Sequence, residues 1–172
     1  MERQALVIYD SRHGNTARIA EAMARGLNRV EGVKAEARLY SDVRPEHLDA
    51  AELLVIGGPT ESRSESRHLK QFFGHIGAYD LHGKYGFAFD THGPSPLSGS
   101  ASRRIEKQMI EFGMRIVEPH HSAITHRSAV GAPIVLTAEA EEQFEKVGVG
   151  VGEAFLRQRR ERTVRVTPAE NS

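Results

Sequence analysis

Short, uninterrupted apolar runs alternate along the chain with segments whose apolar residues recur every three to four positions. The runs "ALVIY" (5–9), "ELLVIGG" (52–58) and "KYGFAFD" (84–90) predict strands buried on both faces. "VKAEARLY" (33–40) alternates polar and apolar residues, as a half-buried strand near a sheet edge does, and "MRIV" (114–117) starts a further strand. Helical spacing separates them. Ile19, Met23 and Leu27, with Ala20 and Ala24, mark a helix from about 15 to 29; Leu69, Phe72, Phe73 and Ile76 mark one over 64–79. Ile105, Met109 and Phe112 mark a third helix over 98–113, with Gly113 as its stop. The last spans 137–162, with Thr137 as N-cap and acidic residues in its first turn. Its Gly148, Gly150 and Gly152 are expected to permit close packing on the sheet.

Strand–helix alternation of this kind predicts an α/β fold: an open, doubly wound, five-stranded parallel sheet covered on both faces. One domain is expected over 1–162, followed by a frayed tail at 163–172. The least regular stretch, 118–136, reads as an excursion out of the last strand. Its clustered histidines read as a polar loop.

Composition narrows the function classes. The 172 residues include 23 Lys plus Arg and 23 Asp plus Glu, so no net field favours nucleic acid or an anionic membrane. There is no cysteine, hence no thiolate metal site and no Cys nucleophile. No apolar run has the length of a membrane span, and Met1 leads within five residues into a strand, so a cytoplasmic protein without a signal peptide is expected. Of nine histidines, His120, His121 and His126 cluster, but without the spacing of a metal motif; no metal site is expected. The basic tail "RQRRERTVRV" complements a helix C-terminus and does not require nucleic acid.

The informative residues lie in three loops, 10–16, 57–66 and 90–101, which follow the first, third and fourth strands. In open α/β sheets ligands sit outside the carboxyl ends of strands, so the three loops should converge. The first, "DSRHGNT", offers hydroxyl and amide side chains and a glycine at the start of a helix, which suits a phosphate. The same residues also serve a plain helix cap. The loop lacks both the Gly-Lys-Ser/Thr of a nucleoside triphosphate site and the G-x-G-x-x-G of a dinucleotide site.

Tyr9, Ser11, Gly14, Asn15 and Thr16 after a first strand resemble the phosphate loop of the flavodoxin family. "LLVIGGPT" (53–60) resembles that family's third strand and second flavin loop. "GKYGFAFDTHG" (83–93) with "SGSA" (98–101) resembles its fourth strand and third flavin loop. The resemblance implies strand order 2-1-3-4-5 and an FMN site. Ser11, Arg12, His13, Gly14, Asn15 and Thr16 would hold the phosphate. The ring would lie between Pro59, Thr60, Glu61 and Ser62 on one side and Thr91, His92, Gly93 and Pro94 on the other, with Gly58, Gly93 and Gly99 permitting close backbone approach. Asp90 is open to two readings, a partner for ribityl or ring N–H groups or a residue capping its own loop. His92 is the candidate catalytic residue, since imidazole exchanges protons near neutral pH. Where the family commonly places Tyr or Trp beside the ring, these loops offer His92, Pro94 and Leu97, and the surrounding rim is basic rather than acidic. The implied function is electron transfer through FMN with a redox partner protein. The alternatives are an FMN-dependent NAD(P)H:quinone-type reductase, or an interaction module on the same fold. A homodimer is compatible with any of these.

Overall fold

The structure, a computed structural model, describes residues 1–166. Chain order is β1 (Arg3–Tyr9), α1 (Asn15–Asn28), β2 (Val33–Leu39), α2 (Pro45–Ala50), β3 (Leu53–Glu61), β4 (Ser64–Glu65), α3 (Arg67–Ile76), β5 (Tyr85–His92), α4 (Ala101–Glu111), β6 (Arg115–Ile116), β7 (His121–His126), β8 (Val135–Leu136) and α5 (Ala140–Val166). The sheet runs β2-β1-β3-β5 in parallel, so the first four positions follow the expected order.

The continuous apolar strands are continuous because each face of the sheet has its own core. Val7, Val55, Phe87 and Phe89 pack with Ile19, Met23 and Leu27 of α1 and with Phe144 and Phe155 of α5. Leu6, Ile8, Leu54 and Ile56 point the other way, onto Leu48, Leu69, Phe73, Ile105 and Met109. β2 is covered less fully and sits at the edge, as its alternation requires.

The fifth position corrects the sequence reading. β6 pairs with the start of β5 (Tyr85 with Arg115) and β7 with its end (Phe89 with His121). Four steps along β5 thus correspond to six along its neighbour, so two residues loop out between the halves. His121–His126 is therefore strand, and the excursion shrinks to 127–134 before β8 returns antiparallel along β7. The break falls at Glu118–Pro119, where proline has no N–H to give the ladder. The chain is fastened there instead by the His120 N–H, which donates to Glu106 of α4 at 2.9 Å.

Other boundaries move for local reasons. β3 continues three residues past Gly58 to form a hairpin with β4, so part of the expected second loop is strand. α3 begins after Ser66, whose hydroxyl accepts the Leu69 N–H at 3.2 Å. α4 begins after Ser100, which caps it by accepting the Arg103 N–H. α5 starts at Ala140 rather than 137 and runs four residues beyond its expected end, to Val166; residues 167–172 of the expected frayed tail lie outside the described residues.

The glycines of α5 also differ from expectation. Gly148 lies against Gly26 and the Met23 carbonyl of α1, and Gly152 against Val30, so they bring two helices together rather than helix to sheet. Gly150 faces outward, with nothing near it. Arg25 and Arg29 both pair with Glu145 along this seam. At the far end Glu52 receives Arg3 at 3.0 Å and Arg159 at 2.8 Å, tying α5 to the sheet. Partial burial pulls that carboxyl upward, but the hydrogen bonds from Arg159 and Arg3 outweigh it and hold its pKa below the usual carboxylate value.

Candidate functional site

The carboxyl ends of β1, β3, β5 and β7 open onto a cavity of about 500 Å³. The loop after β1 enters α1 through Gly14, whose φ of 83° suits glycine. Ser11 turns its hydroxyl back to accept the Ala17 N–H at 3.2 Å. The backbone N–H groups of Arg12, His13, Gly14, Asn15 and Thr16 have no acceptor among the described residues. Five free donors at the positive end of a helix form a ready anion cradle. The side chains beside them are fixed: Asn15 donates to the Ile134 carbonyl at 2.9 Å, and the Thr16 and Thr91 hydroxyls lie 2.8 Å apart.

The second wall is the β3–β4 hairpin. Its two-residue turn places Ser62 (φ 48°) and Arg63 (φ 67°) in the left-handed region, the geometry that matches strand twist in a tight hairpin. Non-glycine residues pay roughly 1–2 kcal/mol each for this conformation. Gly99 explains what holds it. At φ 76° it crosses the turn so closely that a Cβ there would sit 2.6 Å from the Arg63 Cα.

The third wall is the end of β5. His92 donates Nδ1–H to the Gly93 carbonyl at 2.6 Å, which leaves Nε2 as its remaining nitrogen. Behind the wall Asp90 is completely buried. Its Oδ2 accepts from the Thr60 hydroxyl (3.1 Å), the Ser100 hydroxyl (3.2 Å) and the Ser102 N–H (2.9 Å), while Oδ1 has no partner among the described residues. Thr60 in turn accepts the Ala101 N–H at 3.0 Å. Asp90 is thus a latch that joins the second loop, the third loop and α4.

The sequence-derived candidates divide accordingly. Arg12, His13, Asn15, Thr16, Pro59, Thr60, Glu61, Ser62, Thr91, His92, Gly93 and Pro94 line the cavity. Ser11, Gly14, Asp90 and Gly99 shape it from outside its surface. Leu97 points to solvent at 71% exposure instead of covering the cavity. Sequence reasoning missed Thr125, His126, Arg127 and Ile134, which supply a further wall. The available signal was positional: a fifth parallel strand must also end at this edge. Charge in the cavity is positive on balance, with Arg12 and Arg127 against Glu61, whose carboxylate lies 3.8 Å from Arg12. At the end of β1, burial raises the Tyr9 pKa, and Glu21 and Asp42 add to the rise.

A sequence model of the flavodoxin family matches residues 7–146. The chain belongs to the flavodoxin family. Among relatives, the flavodoxin of Aquifex aeolicus is 32% identical over 93 residues, which is 52% of this chain and 50% of that protein. The Type A flavoprotein fprA of Rhodobacter capsulatus is 27% identical over 134 residues, 74% of this chain but 30% of that protein. The chain therefore spans about half the length of the curated Aquifex flavodoxin it matches. A solved flavodoxin from the domain Archaea superposes with a TM-score of 0.74 at 26% identity, covering 87% of this chain and 96% of that one. The Flv1 flavodiiron core from Synechocystis sp. PCC6803 shares the fold at TM-score 0.71 and 19% identity, over 91% of this chain and 36% of that one. Flavodoxins bind FMN, and the loop resemblance had pointed to this family. No helix among the described residues is long and apolar enough to cross a membrane.

Proposed function

We propose that this flavodoxin binds FMN in the cavity and passes electrons through it to a redox partner. The five unpartnered N–H groups from Arg12 to Thr16 carry this reading, because they offer an anion-binding cradle that no protein acceptor uses. The residues present suit the cofactor. The cradle fits a phosphate, and the cavity between the hairpin and the end of β5 is walled by Pro59, Thr91, His92 and Ile134, a mixed apolar and polar lining suited to a flavin ring. FMN supplies the redox chemistry when bound. This chain's part is to grip the phosphate through backbone N–H groups, fix the walls through Asp90 and the Thr16–Thr91 pair, and present the His92 Nε2 at the wall.

Titration of FMN with the purified protein tests the reading. Saturable quenching of flavin fluorescence is expected. No saturation at concentrations where cofactor sites ordinarily fill would replace it with a non-redox interaction module on the same fold. One observation favours a second, enzymatic reading: His92, His126 and Arg127 share the cavity and could hold a quinone-type acceptor. Steady-state NAD(P)H oxidation with a soluble quinone would select it.

The positive lining also sets a potential. A nearby cation stabilises an anionic, fully reduced flavin by about 1 kcal/mol in an exposed setting. For a two-electron couple that corresponds to about 20 mV. Arg127→Ala is therefore expected to lower the two-electron potential of bound FMN by about 20 mV. Dye-coupled redox titration reads the change; a rise on removing the cation would refute the electrostatic assignment.

A further inference from the structure

We propose that a second groove, between the third loop and α4, docks an acidic electron-transfer protein; the proposal rests on the redox role given above. The groove has a volume of about 930 Å³ and shares His92 with the proposed cofactor cavity, so whatever occupies it lies beside that cavity. Arg63, Arg103, Arg104 and Lys107 line it, and none has a carboxylate within ion-pair distance among the described residues. The carboxylate of the groove, Glu106, is already engaged by the His120 N–H at 2.9 Å. Four cations against one carboxylate around one opening, in a chain with no net charge, leave a net local positive field.

The form of this field distinguishes a protein surface from a discrete phosphate site. At the start of α4 the first three backbone donors are engaged: Ala101 donates to Thr60, Ser102 to Asp90 and Arg103 to Ser100. The contrast with α1, whose N-terminal donors are free, is direct. What remains in the groove is long cationic side chains from α4 and from Arg63 of the hairpin turn, with one exposed apolar side chain in it and another beside it. Ile110 is 55% exposed and lines the groove, and Leu97, 71% exposed, stands on the loop at its side. From Arg103 to Ile110 the helix rises by roughly 10 Å. Exposed apolar side chains beside a predominantly positive surface suit a transient protein interface, and the complementary partner carries Asp and Glu beside an exposed apolar patch.

The test uses the full chain, with and without FMN, and a fluorescently labelled acidic [2Fe–2S] ferredoxin as probe. Anisotropy titrations are run at about 20 mM and about 200 mM salt, where screening differs most. The expected result is saturable binding at low salt that weakens at high salt. The triple reversal Arg103→Glu, Arg104→Glu, Lys107→Glu should weaken it by about tenfold or more, with FMN affinity unchanged. A control reversal of three cations on α5, Arg157→Glu, Arg160→Glu and Arg165→Glu, should have little effect. Equal weakening by both sets would overturn the proposal by reducing it to net charge, and so would absence of binding at low salt. It is also overturned if NADPH binds the chain in a manner lost in the α4 variant while ferredoxin binding is unmoved. Because binding is read without electron transfer, failure here is separable from failure of the FMN reading, which the FMN titration reports alone.

Discussion

Asp90→Ala is expected to destabilise the chain by about 3 kcal/mol and to weaken FMN binding by about tenfold or more, although Asp90 does not itself line the cavity. The carboxylate is wholly buried and accepts from Thr60, Ser100 and Ser102. Truncation strands three donors, each costing on the order of 1 kcal/mol or more when left unpaired. It also releases the second loop from the third, so both walls lose their fixed spacing. Asp90→Asn separates the two effects. Its oxygen can still accept at the Oδ2 position, while its amide would occupy the buried site of Oδ1, which has no hydrogen-bond partner among the described residues. An intermediate loss is therefore expected. Urea unfolding of the cofactor-free protein and fluorescence titration with FMN read the two quantities. Unchanged FMN affinity in a destabilised Asp90→Ala protein would show that the walls hold their spacing without the latch.

Opposite signs are expected for two glycines only two residues apart. A Cβ on Gly148 would lie 2.5 Å from the Met23 carbonyl oxygen, and one on Gly26 would lie 2.0 Å from that of Glu145. These are backbone atoms, so no side chain can swing away and the helices must separate. Gly148→Ala should cost about 3 kcal/mol or more, a drop of about 10 °C in melting temperature for a domain of this size. Gly150→Ala meets nothing within 4 Å. It should gain about 0.5–1 kcal/mol by removing the helix penalty of glycine, raising the melt by a few degrees. Thermal denaturation of the two variants side by side checks this; changes of the same sign would refute the packing account.

The residues that were legible in the sequence are those whose role is local. Buried strands show as apolar runs, and Gly14 and its neighbours show as a helix start whatever surrounds them. What escaped was set by partners far along the chain. β7 has a strand's hydrogen bonds because β5 lies beside it, whereas its sequence, "HSAITH", carries only one large apolar side chain. Its cavity residues, Thr125 and His126, were hidden with it. The hairpin turn Ser62-Arg63 lacks the usual Asn-Gly signal, and Gly99, more than thirty residues away, accommodates it. Asp90 could be read as a ligand contact or a cap until its three partners, from both sides of the cavity, were seen together.

The split fifth strand leaves the molecule with a natural splice point. Residues 127–134 leave the sheet at the cavity wall and return to it there, through Arg127 and Ile134. Between those roots Val130 is fully exposed and Gly131, at φ 83°, has nothing within 4 Å. The two-residue slippage upstream has already uncoupled this half of the strand from the register of β6. Foreign sequence grafted between Val130 and Gly131 would extend into solvent while both ends stay anchored beside the cavity. That makes the tip a handle for tethering a second redox module within reach of the FMN proposed to occupy the cavity.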